Sequence, residues 1–144
     1  MDNIDRLKDI INKSNYVVFF GGAGVSTESG IPDFRSEEGL YKAKREFNLS
    51  PEQIISHSFF ISNPEVFYKY YKQNMIYIDA RPNDAHIVLA KLEKMGKLRA
   101  VITQNIDSLH QEAGSEKVYE LHGSEARNYC MDCHKNFDLR YILN

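Results

Sequence analysis

Tyr16-Val17-Val18-Phe19-Phe20-Gly21-Gly22-Ala23-Gly24-Val25-Ser26 is the stretch whose reading decides the fold. Five β-branched and aromatic residues end at a glycine, which predicts a short buried strand over 16–20. The small residues that follow let the backbone turn tightly and approach a ligand. Free N–H groups at a following helix start favour a phosphate there. Taken alone, Gly22-x-Gly24 is only part of a dinucleotide fingerprint, and a tight strand-to-helix turn without a ligand explains it equally well.

Upstream, Ile4, Leu7, Ile10 and Ile11 fall on one stripe and predict an amphipathic helix over 3–14. Downstream, 99–103 predicts a second buried strand, a short helix through Leu109 ends near Gly114, and Val118-Tyr119-Glu120-Leu121 predicts a third strand. Strand, helix and strand in about twenty residues form a βαβ unit, which favours a parallel sheet. Between the first two strands the chain is helical. Ser50-Pro51-Glu52-Gln53 supplies a cap, a first-position proline and a capping-box glutamine. Asn63-Pro64-Glu65 opens a second helix, and Asn83 caps a third that runs to Gly96. The expected class is α/β: a parallel sheet beside a small helical lobe, with the ligand site in the cleft between them.

Composition removes several function classes. The 144 residues, 42% hydrophobic and 26% charged, suit one globular domain with a core of its own. A net charge of −2 without a Lys/Arg run provides no footprint for nucleic acid or anionic lipid. The longest apolar run falls far short of the roughly 20 residues needed to span a bilayer. Met1-Asp2-Asn3-Ile4-Asp5-Arg6 lacks a signal-peptide pattern. Two cysteines exclude a disulfide scaffold. The expected location is cytoplasmic, with neither nucleic acid nor membrane as partner.

Three further stretches carry chemistry. Ser29-Gly30-Ile31-Pro32-Asp33-Phe34-Arg35 places a carboxylate, an aromatic face and a guanidinium in an irregular loop. Arginine can reach diphosphate oxygens and an aromatic ring can cover a reactive sugar, although a plain Asp33–Arg35 ion pair is the bland alternative. Thr103-Gln104-Asn105-Ile106-Asp107 falls at the carboxyl end of the second strand, where amide and carboxylate groups could hold hydroxyls and a carboxamide. By spacing alone, helix capping is the commoner use of such residues. His122 follows the third strand at the same edge; it suits proton transfer near neutral pH, or is an ordinary hydrogen-bonded histidine. The other histidines, at 57, 86, 110 and 134, read as structural.

Cys130-Met131-Asp132-Cys133-His134 admits half of a zinc site, a haem attachment motif or a redox dithiol. Zinc fits best, with Cys130 and Cys133 as ligands, yet two thiolates do not saturate the ion.

Gly22-Ala23-Gly24-Val25-Ser26, Gly30-Ile31-Pro32-Asp33-Phe34-Arg35, Thr103-Gln104-Asn105-Ile106-Asp107, His122-Gly123 and the cysteine pair stand in that order. Together they resemble the sirtuin family of NAD-dependent protein deacylases, in its bacterial form. The resemblance implies a Rossmann-like part over about 1–35 and 84–124, a small helical lobe over about 36–83, and the start of a zinc-ribbon module over 125–144. It also implies NAD and an acetyl-lysine peptide in the cleft, and a structural zinc. Gly22, Ala23, Gly24, Thr27 and Ile31 would line the dinucleotide with Asp33, while Arg35 would approach its phosphates and Phe34 would shield the reacting ribose. Gln104 and Asn105 would hold ribose hydroxyls or an ordered water, and Ile106 with Asp107 would grip the nicotinamide carboxamide. His122, with Asn105 beside it, would be catalytic, as the base for a ribose hydroxyl once the acyl oxygen has displaced nicotinamide.

Tyr68-Lys69-Tyr70-Tyr71 lacks the arginine of the Tyr-x-x-Arg pair that goes with acidic acyl groups, which favours acetyl. The aromatic residues from Phe59 to Tyr77 are expected mainly in a core, some lining the acyl channel. Sirtuins continue past position 144, so the chain reads as an amino-terminal portion, its segment after Tyr129 expected to be poorly ordered or to hold metal weakly without further ligands. The alternative functions are an inactive nucleotide-binding or interaction module and, more remotely, a haem carrier.

Overall fold

The computed structural model describes residues 2–33 and 36–144. Three strands, β1 (Val17–Gly21), β2 (Leu98–Thr103) and β3 (Val118–Glu120), form a parallel sheet in the order β1-β2-β3. Gly21 lies opposite Thr103 and Thr103 opposite Glu120, so the three carboxyl ends are flush. Pairing continues one residue further on each side, Gln104 N–H donating to Gly21 O (3.0 Å) and Leu121 N–H to Thr103 O (2.9 Å). The loops that leave these strands therefore start side by side.

The sheet's two faces differ. Phe19 packs near His110, their ring centroids 5.8 Å apart, and Val101 is fully buried under α6 (Asp84–Lys94) and α7 (Leu109–Glu112). On the other face Val18, Phe20 and Tyr119 are exposed, Phe20 at 62%. The sequence predicts β1 as a buried strand; it is buried on one side only, because α6 and α7 both lie on the same face. Helix α1 (Asn3–Lys13) likewise presents Ile4, Leu7 and Ile10 to solvent.

Between β1 and α6 the chain builds the helical lobe from α2 (Glu37–Phe47), α3 (Pro51–Ile54), α4 (His57–Ser62) and α5 (Pro64–Asn74). The expected capping box forms at α3: Ser50 Oγ accepts from Gln53 N–H at 3.3 Å and Gln53 Oε1 from Ser50 N–H at 2.9 Å. Ala43, Ile54 and Tyr70 form the lobe's buried centre, with Phe47 edge-on to Tyr70 at 5.5 Å.

After the sheet, β4 (Asn128–Tyr129) and β5 (Asn136–Phe137) make an antiparallel hairpin, and α8 (Leu139–Leu143) follows, capped by Asp138 Oδ1 on Tyr141 N–H. After Tyr129 the backbone bonds Cys130 N–H to Lys135 O and His134 N–H to Cys130 O close the turn between the two strands. Among the described residues no helix is long and apolar enough to cross a membrane.

Candidate active site at the carboxyl edge of the sheet

The three loops leaving the sheet meet in a cavity of about 490 Å³, whose other wall is the helical lobe. From the glycine-rich turn come Ala23 and Ser26, and from the next loop Ile31 and Pro32. Gln104, Asn105, Ile106, Asp107 and His122 come from the ends of β2 and β3. The lobe contributes Phe67, Tyr71 and Met75 among others, so part of the aromatic set faces the cleft while Tyr70 packs the core.

Two one-turn 3₁₀ helices, Ala23–Val25 and Thr27–Ser29, carry the chain away from β1. At Gly22 a Cβ would lie 2.8 Å from Gln104 Oε1, so a larger residue there would have to push the end of the Gln104 side chain aside. Gly24 is not crowded; a Cβ would meet nothing within 4 Å. Thr27 is exposed and donates its hydroxyl to Gly24 O at 3.0 Å. Gly22, Gly24, Thr27 and Asp33 therefore flank the lining residues, whereas Phe34 and Arg35 lie outside the described residues.

Ser26 is the junction of the site, and sequence reasoning quoted it without giving it a role. It is 1% exposed, donates its hydroxyl to Asp107 Oδ2 at 2.7 Å and accepts from Asn105 Nδ2 at 2.9 Å. Asp107 Oδ1 accepts from Leu109 N–H at 3.0 Å, so Asp107 braces the backbone where α7 begins and lines the cleft at once. Asn105 caps no helix with its side chain; its amide is spent on Ser26. Asn83 was read only as a cap. Besides capping α6 it donates to Val25 O (2.7 Å) and Ser29 Oγ (3.0 Å), fastening that helix to the glycine-rich turn.

His122 is exposed at the rim, its Nδ1 3.0 Å from Gln104 O. A carbonyl only accepts, so Nδ1 carries the hydrogen and Nε2 keeps its lone pair for a ligand proton. The carbonyl that fixes this tautomer belongs to the same loop as Asn105 and Asp107.

Behind Asp107 lies a buried polar layer. The rings of His86 and His110 lie 4.7 Å apart between centroids, tilted by 60°, and Asn83 N–H donates to His86 Nδ1. His86 Nε2 and both His110 nitrogens have no hydrogen-bond partner among the described residues. Burial first, then its neighbour His86, pulls His110 down to about 4 against the opposing pull of Asp107; burial lowers His86 as well. Burial, reinforced by Asp107, pushes Glu125 up to about 7, and burial pushes Tyr71 up to about 12 with Glu125 contributing.

Residues 22–144 match the Sir2 family. The chain belongs to the Sir2 family. Among the proteins similar to this Sir2 chain are the NAD-dependent protein deacetylases of Clostridium tetani strain Massachusetts / E88, 65% identical over 144 residues, and Clostridium perfringens strain 13 / Type A, 62% identical over 142 residues. The matches cover 100% and 99% of this chain and 58% of each relative, so the chain spans under two thirds of their length. A solved Sir2–p53 peptide–NAD+ structure superimposes with a TM-score of 0.82 at 42% identity, over 97% of this chain and 54% of that one. A Sir2 bound to acetylated peptide superimposes with a TM-score of 0.80 at 41% identity, over 96% and 53%.

Cys130 and Cys133 sit at the tip of the β4–β5 hairpin. Backbone N–H groups of Cys133 and Asp132 hold the Cys130 thiol below its usual value, which suits a thiolate ligand. Among the described residues no group of three or more His, Cys, Asp or Glu side chains converges on one point. Two thiolates supply two of the four ligands a tetrahedral zinc takes, and the described residues bring no third beside them.

Proposed function

We propose that the chain supplies the cleft of an NAD-dependent protein lysine deacetylase that transfers the acyl group of an acetyl-lysine peptide to ADP-ribose and releases nicotinamide. One observation supports this most: His122, the 104–107 loop and Ser26, remote in sequence, line one cavity with a polar end at Asp107 and an aromatic wall on the lobe. The names of the Clostridium relatives and the NAD+ and peptide ligands of the solved Sir2 structures point the same way.

When bound, NAD would supply an electrophilic ribose carbon with a pyridine carboxamide as leaving group. Asp107, held by Ser26 and Leu109 N–H, would accept from the carboxamide, with the Ile106 backbone beside it. Asn105 and Gln104 would hold ribose hydroxyls or an ordered water. The free Nε2 of His122 would take the proton of a ribose hydroxyl at the mouth of the cleft. Phe67 and Tyr71 would exclude water from the reacting sugar, with Phe34 closing over it. The Gly22–Thr27 turns and Ile31 with Asp33 would carry the dinucleotide, and Arg35 would meet its diphosphate. Cys130 and Cys133 would hold structural zinc, and no chemical step passes through it. The cytoplasm is the proposed location.

Nicotinamide release from NAD that requires an acetyl-lysine peptide tests this reading. His122→Ala is expected to abolish formation of free lysine and acylated ADP-ribose, the products that follow nicotinamide departure. Deacetylation that persists in that variant refutes the assigned base, and nucleotide binding without nicotinamide release favours the inactive module.

A further inference from the structure

Glu125 follows His122 by three residues, yet no motif singles it out. Its backbone N–H donates to Ile106 O at 3.0 Å, which fixes it against the loop that carries Asp107. It is 9% exposed, and its carboxyl has neither a hydrogen-bond nor an ion-pair partner among the described residues. It opens onto a second cavity of about 370 Å³. That cavity and the cleft share two wall residues, Asp107 and Tyr77. A buried, unpartnered carboxyl thus stands directly behind the carboxylate assigned to the leaving group.

The groups that face Glu125 identify what it responds to. Asp107, from the loop after β2, lines the same cavity as Glu125, and its charge disfavours a second one. Tyr71 from α5 and Tyr77 from the segment after it are neutral phenols. Arg81, Glu112 from α7, and Asp138 and Arg140 beside and within α8 ring the second cavity; all four are exposed and screened by solvent. Arg81 Nη1 donates to Ile78 O and Ala80 O. On the far side of Asp107, His86 and His110 stay neutral. No buried cation offsets Asp107 among the described residues, so the state of Glu125 sets the charge of this end of the cleft.

We propose that Glu125 is a positioning residue which, acting through Asp107, makes the end of the cleft favour a cationic N-substituted pyridine carboxamide over the neutral free base. The inference rests on the function proposed above and names a residue that controls its leaving-group end. Binding of the cation draws the proton off Glu125; departure of the neutral base lets the proton return. The pocket thus holds the ring while it is joined to the sugar and holds it less once the bond has broken. Burial, which keeps the Glu125 proton on until about neutral pH, places this exchange in the physiological range.

Calorimetric titrations of NAD and of nicotinamide into the wild-type protein and Glu125→Gln, at pH 6 and pH 8, test it. Wild type is expected to gain about threefold to tenfold in NAD affinity between the two, the scale of one partly screened charge, with nicotinamide affinity level. At pH 7 NAD should release a fraction of a proton, read as a dependence of the binding heat on buffer ionisation enthalpy. Glu125→Gln should show neither effect, and Glu125→Met, neutral and of similar volume, should match it. A gain retained in Glu125→Gln, or a level NAD affinity in wild type, overturns the inference while leaving the cleft's function standing. NAD that binds at neither pH overturns both.

Discussion

The helical lobe and the carboxyl edge of the sheet are both buried, yet they are built by opposite means. At the centre of the lobe are Ala43, Ile54 and Tyr70, side chains delivered by neighbouring helices and packed on Phe47, Phe59 and Met75. At the sheet edge the buried set is Ser26, His86, Thr103, His110 and Glu125. There the central hydrogen bond joins residues 81 apart in sequence, and several buried polar atoms have no partner. Apolar burial stabilises the fold, whereas unpaired buried polar atoms cost stability. The lobe acts as the support, and the polar layer is where stability has been given up for chemistry.

The largest expected effect falls on activity. His122→Ala should lower steady-state deacetylation of an acetyl-lysine peptide by at least about a hundredfold, the scale of a lost general base, while the urea midpoint barely moves because the side chain is exposed. A matching loss of stability would erase the distinction between the two regions. Next, Ile54→Ala should cost about 2–5 kcal/mol in urea unfolding, as a fully buried aliphatic side chain does, with activity per folded molecule kept. A loss below about 1 kcal/mol would show that the lobe is not packed as a support.

The polar layer should then betray itself through pH. His110, neutral when folded and pulled down to about 4, binds a proton more readily in the unfolded chain. Stability from this group therefore rises with pH between about 4 and the usual histidine value near 6.5. Glu125, pushed up to about 7, binds a proton more readily in the folded chain. Its contribution therefore falls as pH rises from the usual carboxyl range towards 7. The two slopes oppose each other, and Glu125→Gln should leave the rising one alone. Urea unfolding at pH 4.5, 5.5 and 6.5 measures this, with about 1.4 kcal/mol expected for each pH unit of displaced pKa. An unchanged slope would place Glu125 outside the layer. The smallest effect belongs to the open face of the sheet. Phe20→Ser should change the urea midpoint by less than the equivalent of about 0.5 kcal/mol, since Phe20 is 62% exposed.

Much of the scaffold was legible before any coordinates. The parallel strands followed from short apolar runs separated by a helix, and the α3 capping box followed from Ser50 and Gln53. The placing of His122 with the 104–107 loop followed from strand ends, because a parallel sheet brings successive carboxyl ends to one edge. Ser26 was in view inside the glycine-rich motif, but a serine after a tight turn has many uses, and its partners Asn105 and Asp107 lie far along the chain. Glu125 carried no signal at all: in sequence it is one acid among many. The exposure of Val18 and Phe20 was equally hidden, since a strand's own residues do not record whether one face or both are covered.

What the amino-acid sequence determined on its own is local: where strands and helices begin and end, which turns need glycine, and which chemical groups arrive at the sheet's edge. Backbone sterics, capping and periodicity act over a few residues, so a short window contains their cause. The tertiary structure alone decided which carboxylate is backed by neutral histidines, which histidine nitrogen keeps its lone pair, and which acid is largely buried beside Asp107. Those properties depend on burial and on neighbours brought from distant parts of the chain, and desolvation has no counterpart in a linear string of residues.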